Sequence, residues 1–186
     1  MQSLNFTNHF LIAMPNLADQ NFYQTVTYVW AHNSEGAMGA VVNRPLPFSL
    51  GAILSQLNLE PADQSLNDLT IYQGGPVQQD RGFIIHQPVS EWESTIKVSE
   101  DVGVATSRDI LEAISRGTGP RHVLIALGYA GWGAGQLEQE IAENAWLSSP
   151  ADSRILFETP AELRWRSAAT LVGVDLQRMS PEAGHA

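Results

Sequence analysis

An apolar run, Leu124-Ile-Ala-Leu127, meets glycines at 128, 131, 133 and 135 and then an amphipathic segment reaching Trp146. No other stretch constrains the fold as tightly. A continuously apolar run of this kind predicts a strand buried on both faces, over 123–127, at the centre of a sheet. The glycines behind it tolerate left-handed backbone and carry no side chain, so here the chain can turn sharply and press against a neighbouring segment. Leu137, Ile141 and Ala145 then fall at helical spacing, which predicts a helix with a buried stripe and its glutamates in water.

The rest of the chain supplies the partners. β-Branched and aromatic residues over 10–13 and 25–30 predict strands, and a third over 37–42 joins the second through the turn residues Asn33-Ser-Glu-Gly36. That run ends at Asn43-Arg44-Pro45. Ser49 predicts the N-cap of a helix bearing Leu50, Ile53, Leu54 and Leu57. After a polar loop over 60–68, short strands over 69–72 and 82–86 flank 73–81, which is rich in Gly, Pro and polar groups and reads as a loop outside the core. Further strands are expected over 94–98 and 103–106. Thr106 or Ser107 caps a helix through Arg116, stopped by Gly117-Thr-Gly-Pro120. Thr159-Pro-Ala-Glu162 reads as a capping box with Thr as N-cap and Pro at N1. The tail Ser180-Pro-Glu-Ala-Gly-His-Ala186 is expected to be mobile. An early hairpin followed by strand-helix alternation predicts one mixed-sheet domain, α/β or α+β, over 1–186.

Composition narrows the function. Twenty acidic against ten basic residues give a formal charge of −10, and the arginines are scattered, so no direct nucleic acid binding is expected. Arg164 and Arg166, the close pair, do not share a helix face. There is no cysteine, which excludes disulfides and thiolate chemistry. No apolar run is long enough for a membrane span, and the first residues lack a secretory pattern, so a cytoplasmic protein is expected.

Strand, glycines and helix in that order can also cradle phosphate on helix N-terminal amides. Gly131-Trp-Gly-Ala-Gly135, however, lacks the G-x-G-x-x-G spacing and has no lysine beside it. The residues favour a structural turn that packs Tyr129 or Trp132, and an exposed Trp132 anchoring a partner is the alternative. No G-x-S-x-G occurs, and His9, His32, His86, His122 and His185 never stand at metal-ligand spacing, so no catalytic residue, metal or cofactor is expected. A hydrogen-bonded, structural role is expected of His86, which ends a strand. There remain the strand-end groups Asn43-Arg44, Gly74-Gly75, Asp80-Arg81 and Ser107-Arg108, which could meet with Gly131, Trp132 and Gly133 in one ligand or partner face. The alternative is that these arginines bond loop carbonyls and the rest are turn and cap residues.

Ten ordered blocks carry a resemblance. Asn8-His-Phe-Leu-Ile-Ala-Met-Pro15, Glu35-Gly-Ala-Met-Gly39, Val42-Asn-Arg-Pro45, Gly74-Gly-Pro-Val77, Asp80-Arg-Gly-Phe83, Thr106-Ser-Arg-Asp109, Ala126-Leu-Gly-Tyr-Ala-Gly-Trp132, Gly135-Gln-Leu-Glu138, Glu143-Asn-Ala-Trp146 and Ala183-Gly-His-Ala186 resemble the AlgH/YqgE family of bacterial proteins from end to end. The resemblance implies an α+β single domain with a bifurcated, partly barrel-like sheet wrapped by helices, and a cytosolic location. It implies no particular reaction and carries over no catalytic residue. The family takes its name from a proposed positive regulator of alginate synthesis. One departure stands out: many relatives resemble Tyr-x-Cys-Glu-His-Asn where this chain has Tyr28-Val-Trp-Ala-His-Asn33, so no thiol role applies at Trp30. The expectation is a non-enzymatic regulatory or adaptor protein with an unknown protein partner. The alternative is a protein binding a phosphorylated or nucleotide-like small ligand, or a hydrolase, in the same cleft.

Overall fold

A computed structural model describes residues 4–17 and 19–176, and the tail 180–186 lies outside them. The first strands form a meander in which β1 (His9–Ala13), β2 (Val26–Asn33) and β3 (Gly36–Val41) pair antiparallel in order. The β2–β3 turn is closed as the sequence predicts, with the Asn33 side chain accepting the Glu35 N–H at 2.8 Å. Beyond Arg44 the chain does not leave the sheet. It continues as β4 (Pro45–Ser49), which among the described residues pairs only with β5 (Thr70–Gln73), an edge position that tolerates prolines without an N–H.

Between these lie α1 (Leu50–Gln56) and, inside the expected loop 60–68, a 3-10 turn over Gln64–Asp68. The long β6 (Val77–Gln87), β7 (Thr95–Lys97) and β8 (Gly103–Ala105) lead into α2 (Arg108–Ser115). Ser49 and Ser107 stand at the helix N-caps, but neither side chain makes the capping bond. The stop of α2 is as predicted: Gly117 at φ 78° donates to Ile114, and Thr118 donates to Ala113. Central in the sheet is β9 (His122–Gly133), followed by α3 (Gln136–Ala142). Asn144, left-handed at φ 62°, ends α3 by the same type of motif, so the helix stops before Ala145 and Trp146 opens an edge strand, β10 (Trp146–Pro150).

Asp152 then caps α4 (Ser153–Phe157), accepting from Arg154 and Ile155 N–H, and α5 (Ala161–Leu171) follows. The predicted capping box at α5 is not formed. Pro160, not Thr159, is the N-cap, and the Thr159 hydroxyl is drawn off to the Arg154 carbonyl at 3.1 Å.

The strand order β10-β1-β2-β3-β9-β6-β8-β7, with β4–β5 branching from β9, makes one curled, bifurcated sheet wrapped by five α-helices among the described residues. The pairing is antiparallel except for β5 on β9. Along its first half β9 lies between β5 and β6, and along its second half it pairs with β3. The glycines after Leu127 therefore extend the strand; they do not turn it away. Gly128 alone is left-handed within it, at φ 79°. Across this residue the pleat changes face. Leu124 and Ala126 point into the interior cluster with α4 and α5, Tyr129 packs on that same cluster, and Ala130 and Trp132 point to the opposite side beneath α3. A third cluster packs the outer face of the β5–β9–β6–β8 branch under α1 and α2.

Gly74 and Gly75, expected in a loop outside the core, are buried against β9. A Cβ on Gly74 would lie 2.3 Å from the Gly128 carbonyl oxygen, and one on Gly75 would lie 2.3 Å from the Tyr129 backbone. Only bare backbone fits there. Arg164 of α5 is the buried charge of the interior, 5% exposed. Its guanidinium donates to the carbonyls of Val42 (2.5 Å), Thr159 (2.9 Å) and Ile155 (3.2 Å) and lies 5.0 Å over the Tyr72 ring, while Arg166 is exposed, as the spacing predicts. His86 is fully buried; its Nδ1 donates to the Pro88 carbonyl at 3.2 Å, and its Nε2 is buried without a partner among the described residues. Burial lowers its pKa, against the opposing pull of that hydrogen bond.

Two predictions follow from this packing. Gly74→Ala is expected to cost about 2 kcal/mol or more in urea unfolding, since an overpacked core site against backbone cannot relax, whereas Gly131→Ala, whose Cβ would meet only Tyr129 Cε2 at 3.5 Å, changes little. Because the folded pKa of His86 is depressed, the unfolded chain takes up a proton there first. The stability His86 contributes is thus complete above the ordinary histidine pKa of about 6.5 and is lost as pH falls below it. Stability measured between pH 7.5 and 5.5 (roughly one unit either side of that value) should fall more steeply in the wild type than in His86→Gln.

Candidate functional site

On the outer face of the sheet, α1 and α2 do not meet edge to edge. The stripe of sheet between them, Gly82 and Ile84 from β6 with Ile125 and Leu127 from β9, floors a groove of about 620 Å³. Its walls are Phe48, Ala52, Ile53, Gln56 and Leu57 on one side and Leu111 on the other, with Asp80 also lining it. The α1 stripe read from the sequence explains the wall: Leu50 and Leu54 are buried in the sheet, which leaves Ile53 and Leu57 half-buried along the groove. Phe48, on the edge strand β4, is 40% exposed.

Arg108 ties the two helices together. Its Nη2 donates to the Leu57 carbonyl past the end of α1 (2.8 Å), and its Nε is held by Glu112 (3.0 Å). The turn before it is equally engaged. Ser107 Oγ accepts from Ser94 N–H and donates to Asp109 (2.5 Å), while Glu93 and Ile110 N–H also donate to that carboxylate. Burial acts to raise the Asp109 carboxyl, and these hydrogen bonds outweigh it, holding it below the usual carboxylate range.

The structure divides the face expected from the sequence. Asp80 lines the groove and Arg108 binds its wall. Arg81 does not join them, because strand alternation turns it to the other face of β6, where it lies 5.4 Å over Phe83 and donates to Gln78. Arg44 donates to the Asn21 and Tyr23 carbonyls, and Asn43 holds Val26 N–H and the Gln24 carbonyl, so both clamp the loop before β2. Gly74 and Gly75 are packed on β9. Gly131, Trp132 and Gly133 lie on β9 against β3, with Trp132 about 17 Å along the strand from Leu127 at ~3.3 Å per residue.

Trp132 is not an exposed loop anchor: it is 6% exposed. Its ring stacks on Phe22 and meets Trp146 edge-on, and the indole N–H groups of both tryptophans donate to Glu140 Oε1, at 3.2 and 3.1 Å. Beside them His32 receives the Phe6 N–H on Nδ1 and donates from Nε2 to Glu138. That bond and, more strongly, Glu138's own backbone N–H keep its carboxyl below the ordinary range against partial desolvation. These bonds seat α3 on the sheet. No group of three or more His, Asp or Glu placed to hold a metal ion occurs among the described residues.

The comparisons with known proteins agree with this architecture. A family model described as AlgH-like matches residues 10–177. The chain belongs to that family. A UPF0301 protein of Nitrosococcus oceani is 55% identical over 181 residues, covering 97% of each chain. One from Thioalkalivibrio sulfidiphilus is 56% identical over 184 residues, covering 99% of this chain and 98% of its own. The solution structure of the AlgH protein from Pseudomonas aeruginosa is 50% identical, covers 100% of both chains and superposes with a TM-score of 0.80. A crystal structure from Corynebacterium diphtheriae shares the fold at a TM-score of 0.74 and 16% identity, covering 97% of this chain and 94% of its own.

The AlgH-like signature blocks thus acquire physical meanings. Gly135-Gln-Leu-Glu138 and Glu143-Asn-Ala-Trp146 begin and end α3, and Val42-Asn-Arg-Pro45 holds a loop to the sheet. The groove residues Phe48, Ala52, Ile53, Gln56 and Leu111 lie outside the blocks, which is why reading those blocks did not find them. Glu140→Ala is expected to cost about 2 kcal/mol by leaving two buried indole N–H groups unpaired, with a shifted tryptophan emission. Glu140→Gln, which keeps an acceptor, should cost less in the same unfolding measurement.

Proposed function

We propose that this protein is a cytosolic, non-enzymatic regulatory or adaptor protein that acts through protein contacts, and that its contact surface is the groove between α1 and α2. The carrying observation is the concave apolar wall with Phe48 exposed beside it, since apolar anchors seated in a groove supply most of the energy of helix and peptide docking. The α3 side, where Trp132 lies buried, presents Gln136, Gln139 and Glu143 to water instead. A phosphorylated or nucleotide-like ligand is poorly served by the groove, whose charged lining residue is the carboxylate Asp80 and which no arginine lines. The formal charge of −10 opposes DNA binding in the same way.

The reading is tested by photo-crosslinking in cells from an unnatural residue at position 48 or 56, with exposed position 139 on α3 as the control. Discrete adducts from 48 and 56, reduced about tenfold (~1.4 kcal/mol of binding) by the groove-filling change Ala52→Arg, are expected. Adducts from 139 alone, or none from 48 and 56, would count against it.

A further inference from the structure

Resting on that docking reading, we propose that the occupant of the groove is a short amphipathic helix of a partner protein carrying a lysine or arginine beside its apolar anchors, with the basic group meeting Asp80. Shape points to a helix. α1 and α2 already cover neighbouring parts of one sheet face, burying Ile84 and Ile125 at the groove floor and leaving Gly82 and Leu127 half-buried between them, and a helix is the element that completes such a layer in layered α/β packing. The wall formed by α1, seven residues or ~10 Å long, matches two turns of a bound helix, enough for anchors at i, i+3 or i+4, and i+7.

Charge specifies the class. Asp80 is the ionisable residue lining the groove, and its carboxylate has no ion pair or hydrogen bond among the described residues; the Gln56 carboxamide on the wall is likewise unpartnered. The cations that could have answered Asp80 are committed elsewhere: Arg81 on the opposite face of β6 over Phe83, and Arg108 on Glu112 and the Leu57 carbonyl. With the whole chain at −10, a cationic segment is attracted and an acidic one repelled.

The test uses the full chain and synthetic helical peptides of three kinds: leucines at i, i+4 and i+7 with a flanking lysine, the same with glutamate for lysine, and the lysine form with serines for leucines. Binding is read by anisotropy and by the methyl resonances of Ile53, Leu57, Leu111 and Leu127. The lysine peptide should shift these methyls and bind about tenfold more tightly than the glutamate peptide, a preference that Asp80→Asn removes and at a site that Ala52→Arg blocks. Both substitutions fall at exposed positions, and thermal unfolding checks that the fold is kept. Equal binding of the lysine and glutamate peptides in the groove would overturn the charge assignment while the docking reading stands. Serine peptide binding as tightly as leucine peptide, or shifts confined to other methyls, would overturn the helix assignment. Absence of crosslinks from 48 and 56 when Ala52 is unchanged is what would overturn the docking reading itself.

Discussion

The left-handed residue Gly128 in the middle of β9 is the constraint on which the remaining architecture depends. Its φ of 79° reverses which side chains face the interior, so one strand can serve the interior cluster, the α3 cluster and the α1–α2 cluster. The same position must be bare for a second reason. A Cβ there would stand 2.6 Å from the Gly75 carbonyl oxygen, where the chain leaving β5 crosses over β9. Gly74 and Gly75 answer it from the other side, donating Gly74 N–H to Leu127 and accepting Val41 N–H on the Gly74 carbonyl. At this crossing the sheet changes partners, from β5 to β3, and becomes bifurcated.

Once the sheet divides, each branch needs its own cover. The inner side is closed by α4 and α5, anchored by Arg164 through the carbonyls of Ile155 and Thr159 and the distant carbonyl of Val42. A buried guanidinium is tolerable only because its donors meet acceptors and its face meets the Tyr72 ring. The β3–β9 branch is closed by α3, held through Glu140 to two tryptophans and through Glu138 to His32. The remaining branch is covered by α1 and α2, which are joined by the Arg108 bond to Leu57 and leave apolar sheet between them. The candidate docking surface is thus where helical cover is incomplete.

Much of this could be read from residue order. The central strand, the β2–β3 hairpin, the α1 stripe and the Gly117 stop all rest on local chemistry that has few alternatives. The misses share a cause. β4 was missed, the strand before it being ended at Asn43-Arg44-Pro45, and only the pairing with β5 shows that these prolines sit on an edge strand. The Thr159 box failed because a carbonyl from α4 competed for the hydroxyl. Packing of Trp132 was the favoured reading, but it was still placed on the partner face, because its cover comes from Phe22, Trp146 and Glu140, residues spread across more than a hundred positions. Of the candidate site, Asp80 and Arg108 were picked out for their charge; Phe48, Ile53, Leu57 and Leu111 gave no signal, since a half-buried apolar residue on a groove has the same local pattern as one in a core.

What the sequence determined alone was most of the strands and helices, the exclusion of thiol chemistry and the close backbone approach at the glycines after Leu127, because each of these depends on a residue and its immediate neighbours. Family membership was legible as well, in motifs that now prove to be mostly caps, clamps and close contacts. Which face each side chain takes was decided by the tertiary structure. Strand alternation sends Asp80 to the groove and Arg81 away from it, and Gly128 inverts that alternation within β9. Whether a surface is covered was decided there too, since cover is the sum of contacts from distant segments, and a groove is defined by the contact that no segment of the chain makes.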